Sequence, residues 1–198
     1  MVYELENFHF SYNAICSKPT NKLEKIYSDF SISLRNCNDK IEARNIIKKL
    51  TNQLNEIYVS YQEFESEFIN LTYTKKSNNP DNVITKYVVN KIASYYEGKE
   101  IFEDDGSIEH ILSESNDINN NIGNLILLEQ ILNGEANCLE YIDKITVYKK
   151  SSYKWIKEFV SSNTEWSDDK IQERSKKLSE FYYTKILSKK ISLNALKR

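Results

Sequence analysis

Across 198 residues the chain holds only 4 Gly and 2 Pro, which excludes a sandwich or barrel built on many tight turns, and 40% apolar residues, enough for a core. The net charge of −2 shows no bulk excess of positive charge for a polyanionic partner. Cys16, Cys37 and Cys138 are odd in number and form no CxxC pair, excluding a disulfide framework or a cysteine zinc site and pointing to reduced thiols in a cytoplasmic protein.

In chain order, residues 3–16 are aromatic-rich and read as a helix that Pro19 and Thr20 break. Leu23, Ile26, Tyr27, Phe30 and Leu34 recur at helical spacing and predict a second helix over 21–35. A third covers 39–59, with Ile46, Ile47, Leu50, Leu54 and Ile57 as its buried stripe. Residues 61–71 form a short one, with Phe64, Phe68 and Leu71 facing one way, and 74–79 a polar loop. Asn79 caps the next helix, with Pro80 at its first position and Gly98 just past its end. Val83, Tyr87, Val88, Ile92 and either Tyr95 or Tyr96 supply its apolar face.

Residues 100–106 are acidic and turn-forming. Residues 107–112 have strand character, with Ile108, His110 and Leu112 on one face and Glu109 and Ile111 on the other. An asparagine-rich loop over 113–121 leads to a second strand over 124–128, apolar on both faces, and a helix over 130–138. Helices over 151–162, carrying Trp155, Ile156 and Phe159, and over 168–190, after a Ser167 cap, complete the chain. The buried face of the last is Ile171, Leu178, Phe181, Tyr182 and Ile186. The fold class expected is mainly α with a small two-stranded insertion, α+β. The domains expected are a helical bundle over 1–98, a unit carrying the site over 99–150, and helices over 151–198 packing on it.

Charge is unevenly spread. Residues 144–198 hold 14 Lys and Arg against 6 Asp and Glu, a net of +8, and residues 1–143 hold 13 against 23, a net of −10. A basic tail beside an acidic body places positive potential on one face. Residues 1–20 carry no continuous apolar run of the kind a signal peptide needs, and no stretch approaches a membrane span, so no membrane partner is expected.

One of the chain's two histidines, His110, directly follows Glu109. Asn124 lies fourteen residues further on and Asn133 nine beyond that. An imidazole titrates near neutral pH and suits the deprotonation of a water. Glu109 leaves the strand on the opposite face, free for a different task. The amide oxygen of Asn133 is a hard ligand of the kind Mg²⁺ takes. Asn124, at the start of the second strand, either holds the hairpin or orients the imidazole. These are the parts that one-metal phosphodiester hydrolysis needs. His9, between Phe8 and Phe10, has no carboxylate or cysteine cluster beside it and reads as a packed or hydrogen-bonded histidine.

The stretch GSIEHILSESNDINNNIGNLILLEQILN resembles the HNH (ββα-metal) nuclease motif, with spacings similar to the HNH domain of CRISPR effector nucleases. More closely, residues 107–175 resemble the C-terminal nuclease module of GmrSD-type restriction enzymes, type IV systems that attack modified DNA. The matching positions are Glu109-His110-Ile111-Leu112, Gly123 to Leu128, Asn133, Lys144, Tyr148, Ser151 or Ser152, Trp166, and Ile171 with Arg174. The helical stretch 8–96 is also similar to what precedes the motif in that family.

The resemblance implies a metal-dependent DNA endonuclease of a restriction or phage-defence system that nicks DNA. In it His110 is the general base, Asn124 the orienting residue, and Glu109 and Asn133 the ligands of one Mg²⁺ or Mn²⁺, with Asn137 an alternative to Asn133. Lys144, Lys149, Lys150 and Arg174 contact DNA phosphates or pin the domain together. The family's proline after His-Ile-Leu is Ser113 here. The family also carries an N-terminal nucleotide-hydrolysing sensor domain, and no phosphate-cradling Gly-rich loop occurs in this chain, so the chain is expected to be either the nuclease half of a longer protein that carries the sensor or a minimal stand-alone relative. Two other readings fit the same residues: a catalytically silent DNA- or partner-binding module, and an RNA nuclease or toxin of the same chemistry.

Overall fold

A computed structural model describes residues 2–75, 81–99 and 106–191. The expected cap and first position at Asn79 and Pro80 lie outside the described residues, as does the acidic turn expected over 100–106 except for Gly106, which belongs to the first strand. By contact the chain forms two compact units, residues 1–64 and 65–198.

The first unit is helical. α1 (Val2–His9) runs into a π-helical turn over Phe10–Ile15, and α2 (Asn21–Arg35) and α3 (Lys40–Glu56) follow. Asp39 caps α3, its Oδ1 accepting from the backbone N–H groups of Ile41 and Glu42 at 2.8 Å each. Phe8 stacks on Tyr12 and meets Tyr58 edge to face. The periodic stripe of α2 buries less than its pattern suggests, for Leu23 is inside while Leu34 is exposed. His9 is hydrogen-bonded on both ring nitrogens, to Asn13 Oδ1 and to the Tyr27 hydroxyl, at 2.7 Å each. Asn13 Nδ2 donates to Lys18 O, which turns Oδ1 toward His9, so Nδ1 carries the proton and Nε2 accepts from Tyr27.

α4 (Tyr61–Phe68) spans the boundary between the units, and α5 (Asp81–Glu97) groups by contact with the second. In α5 the buried stripe is Thr85, Val88, Val89, Ile92 and Ala93, while Val83, expected inside, is 73% exposed. The helix turns this way because Thr85 donates its hydroxyl to Thr72 O, 2.7 Å away, and so needs an inward place. Gly98 has a φ of +67°, the left-handed stop expected just past the helix end.

The second unit is built round an antiparallel hairpin, β1 (Gly106–His110) and β2 (Leu125–Glu129), with Gly106 opposite Glu129 and His110 opposite Leu125. β1 ends two residues before the alternation predicts. There the side chain of Asn124 takes over from the backbone ladder, accepting from Leu112 N at 2.9 Å and donating to Leu112 O at 2.8 Å. Between the strands the chain makes two single 3₁₀ turns, and an isolated bridge joins Thr72 to Asn121.

After β2 come α6 (Gln130–Ala136), α7 (Tyr141–Tyr148), α8 (Lys154–Ser162) and α9 (Asp168–Phe181), ending in a π-helical turn over Tyr182–Ile186. The sequence reading assigns no helix to 141–148. Its buried face is Tyr141, Lys144, Val147 and Tyr148, and the lysine in that stripe hides the apolar period. The fold is mainly helical with one small two-stranded sheet, as expected. Among the described residues no helix is long and apolar enough to cross a membrane.

Candidate active site

His110 is the last residue of β1 and is 3% exposed. Its Nε2 lies 2.9 Å from Tyr73 O, and the two rings sit 6.0 Å apart. A carbonyl oxygen can only accept, so Nε2 carries the proton and the lone pair is on Nδ1, which makes no hydrogen bond among the described residues. Burial pulls the pKa of His110 below the ordinary histidine value, against the pull of the Tyr73 carbonyl and the Glu114 carboxylate. The imidazole is therefore held neutral at neutral pH.

Sequence reasoning missed the segment that supplies this contact. Residues 69–74 are tied to the asparagine loop by Tyr73 N to Asn120 O and Ile122 N to Leu71 O, each 2.8 Å, and by Asn121 Nδ2 to Ile69 O at 2.6 Å. Tyr73 holds His110, and the next residue, Thr74, donates its hydroxyl to Glu114. A backbone carbonyl leaves no trace in a side-chain pattern, so no signal marked Tyr73.

Glu109 points the other way and is 1% exposed. Its Oε1 accepts from Lys144 Nζ at 2.6 Å and from the Tyr148 hydroxyl at 3.1 Å. Lys144, also 1% exposed, reaches His110 O at 2.6 Å as well. Burial pushes the Glu109 carboxyl upward, with Lys144 and Tyr148 opposing it, and the Tyr148 hydroxyl is raised strongly by burial and the carboxylate.

Asn124 is fully buried and uses all four of its polar positions. Beyond Leu112 N and O, its Oδ1 accepts from Trp166 Nε1 at 3.0 Å and its Nδ2 donates to Asn119 O at 2.7 Å. None of these bonds goes to His110. Asn133, on α6, is 7% exposed, and its Nδ2 donates to Ser107 Oγ and Ile108 O. That turns Oδ1, the hard oxygen, away from the strand.

The four basic positions divide. Arg174 donates through Nη1 to Gly123 O at 2.7 Å and Leu125 O at 2.9 Å, and packs against the rings of Trp155, Phe159 and Trp166. Burial lowers its pKa to about 10, so it stays charged at neutral pH. Arg174 and Lys144 are thus fasteners of the hairpin. Lys149 and Lys150 are exposed, and Lys150 pairs with Glu135 at 2.7 Å. Ser151 and Ser152 bond to the carboxylate of Glu129, the last residue of β2.

The Asn133 amide fits a hard divalent cation, since its oxygen is turned away from the strand its nitrogen is bonded to. Glu109 does not fit as placed, because its carboxylate is sequestered by Lys144 and Tyr148. Among the described residues no group of three or more His, Cys, Asp or Glu side chains converges as a metal cluster.

A mainly helical unit thus encloses a short hairpin that ends in a neutral, carbonyl-anchored histidine. Residues 58–181 match the family described as GmrSD restriction endonucleases, C-terminal domain, and the chain belongs to that family. Among curated proteins none matches the chain.

Proposed function

We propose that this chain is a metal-dependent DNA endonuclease domain of a restriction or phage-defence system, with His110 as the general base for a single-strand cut. The observation that carries the reading is the Tyr73 carbonyl on Nε2, which leaves the Nδ1 lone pair to take a proton from a water. The family's description as restriction endonucleases supports a DNA substrate.

His110 removes the water's proton at Nδ1, and the imidazolium that forms keeps its Nε2–H on Tyr73 O, facing the Glu114 carboxylate. Asn124 braces the two ends of the hairpin so that His110 keeps its place. Asn133 would hold the divalent metal, Mg²⁺ or Mn²⁺, through Oδ1. When bound, the metal neutralises charge growing on the phosphate. The exposed Lys149 and Lys150 contact the DNA backbone. A nucleotide-hydrolysing sensor domain supplies targeting, and the system acts on DNA in the cytoplasm.

The test is relaxation of a supercoiled plasmid by the purified chain in Mg²⁺, Mn²⁺ or EDTA, beside His110→Asn and His110→Ala. His110 is buried, so alanine would leave a cavity, and asparagine, whose volume is closer to that of histidine, is the fairer variant. Metal-dependent nicking that falls about a hundredfold or more in His110→Asn supports the reading. Nicking at the parental rate in that variant sinks it. DNA binding without nicking in any metal favours a silent binding module instead, and cleavage of RNA alone moves the substrate class.

A further inference from the structure

The resemblance assigns Glu109 to the metal, but the buried geometry around it suits another task. We propose that Glu109 is the internal counter-ion of Lys144 and, through Lys144, a positioning residue for His110, and that it is not a ligand of the divalent cation. This rests on the reading of His110 as the base.

Three observations converge. Lys144 is a lysine in the buried stripe of α7, 1% exposed, and an ammonium taken out of water needs an anionic partner. Glu109 Oε1 supplies it at 2.6 Å, 35 positions away in sequence, and Tyr148 adds a second donor to the same oxygen. The ammonium spends another N–H on the main-chain carbonyl of His110, also at 2.6 Å. One carboxylate therefore keeps Lys144 folded inward, and Lys144 fixes the end of β1 from which the imidazole projects.

The two roles compete. A divalent cation on the remaining Oε2 would sit about a carboxylate's width from the ammonium, where like charges repel strongly in a dry interior. Turning the carboxylate to a cation elsewhere would leave Lys144 buried and unpaired. Asn133 has no such conflict, because its two side-chain hydrogen bonds among the described residues both use Nδ2.

The experiment compares the full chain with Glu109→Leu, Lys144→Met and the double variant that carries both substitutions. Mn²⁺ binding is read by calorimetry without DNA, thermal unfolding by circular dichroism, and nicking on plasmid. The proposal expects both single variants to melt lower and to nick more slowly. It expects the double variant to melt above the worse single variant, since an apolar pair replaces a broken ion pair. It also expects Mn²⁺ affinity to stay within about threefold of the parent in every variant that folds.

A loss of Mn²⁺ affinity of about tenfold or more in a folded Glu109 variant, with Lys144→Met binding as the parent does, overturns it. So does a double variant whose melting loss equals the sum of the two single losses, because the residues then act independently. If the single variants do not fold, the double variant decides: folded with parental Mn²⁺ affinity supports the proposal, and anything less overturns it. A parent that neither binds Mn²⁺ nor nicks would refute the nuclease reading, and the melting comparison would still decide whether Glu109 and Lys144 act as a pair.

Discussion

Trp166 donates its indole N–H to Oδ1 of Asn124 at 3.0 Å, tying the connection between α8 and α9 to the mouth of the hairpin. Asn124 is thereby bonded to three separate parts of the chain at once, Leu112, Asn119 and Trp166.

Asn124→Ala should lower stability by about 3–5 kcal/mol, because it strands the buried C=O of Asn119, the half-buried N–H and C=O of Leu112 and the indole N–H. Trp166→Phe keeps most of the apolar volume and loses one hydrogen bond, at about 1 kcal/mol. Chemical denaturation of both and of the double variant checks this. The double variant should cost less than the two losses added, since the bond they share is counted twice. Strict additivity would remove the assigned bond.

Two glycines predict opposite outcomes. A Cβ at Gly123 would run into the carbonyl oxygen of Ile171 and come within 3.1 Å of Ser175 N, both backbone atoms of α9 that cannot turn aside. Gly123→Ala should cost about 3 kcal/mol or more. A Cβ at Gly134, inside α6, meets nothing within 4 Å. Gly134→Ala should therefore stabilise by up to about 1 kcal/mol through helix propensity. Melting temperatures of the two variants decide it, and a harmless Gly123→Ala would contradict the close approach of α9 to the hairpin.

Low pH should loosen the start of α4. Glu63 accepts from Ser60 N and Oγ and from Lys18 Nζ, and Ser60 Oγ accepts in return from Glu63 N, a reciprocal cap. The Lys18 hydrogen bond, and then those of Ser60, hold the Glu63 carboxyl at about 2. A folded value below the unfolded one means the stabilisation is complete above pH 4.5 and is lost as pH falls toward 2. The pair with Lys18 is half exposed, so water screens much of it. At pH 7, Glu63→Gln should melt lower by the equivalent of about 1 kcal/mol, the usual size of a cap. Between pH 4.5 and 2 the gap to the parent should close. A gap that stays constant over that range would place the stabilisation elsewhere.

Much of the fold was legible. α2 begins and ends where its period does, over 21–35, and the Gly98 stop stands where the pattern of α5 runs out. These features depend on neighbours three or four positions apart, which a sequence displays directly. The outward turn of Val83 was not legible, because the hydroxyl of Thr85 found an acceptor at Thr72, outside the helix. Nor was α7, whose stripe includes a lysine.

By itself the sequence determined the helical periods, the hairpin and the spacing of His110, Asn124 and Asn133, for each follows from local order along the chain. It also carried the motif that marks the family. Only the tertiary structure decided what those residues touch. Which nitrogen of His110 is protonated depends on the carbonyl of Tyr73, 37 positions earlier, and a carbonyl is the same on every residue. Whether Lys144 serves the surface or the interior depends on meeting Glu109, 35 positions away. A lysine can be buried only where the fold delivers an anion to it, and that delivery is a property of the packed chain.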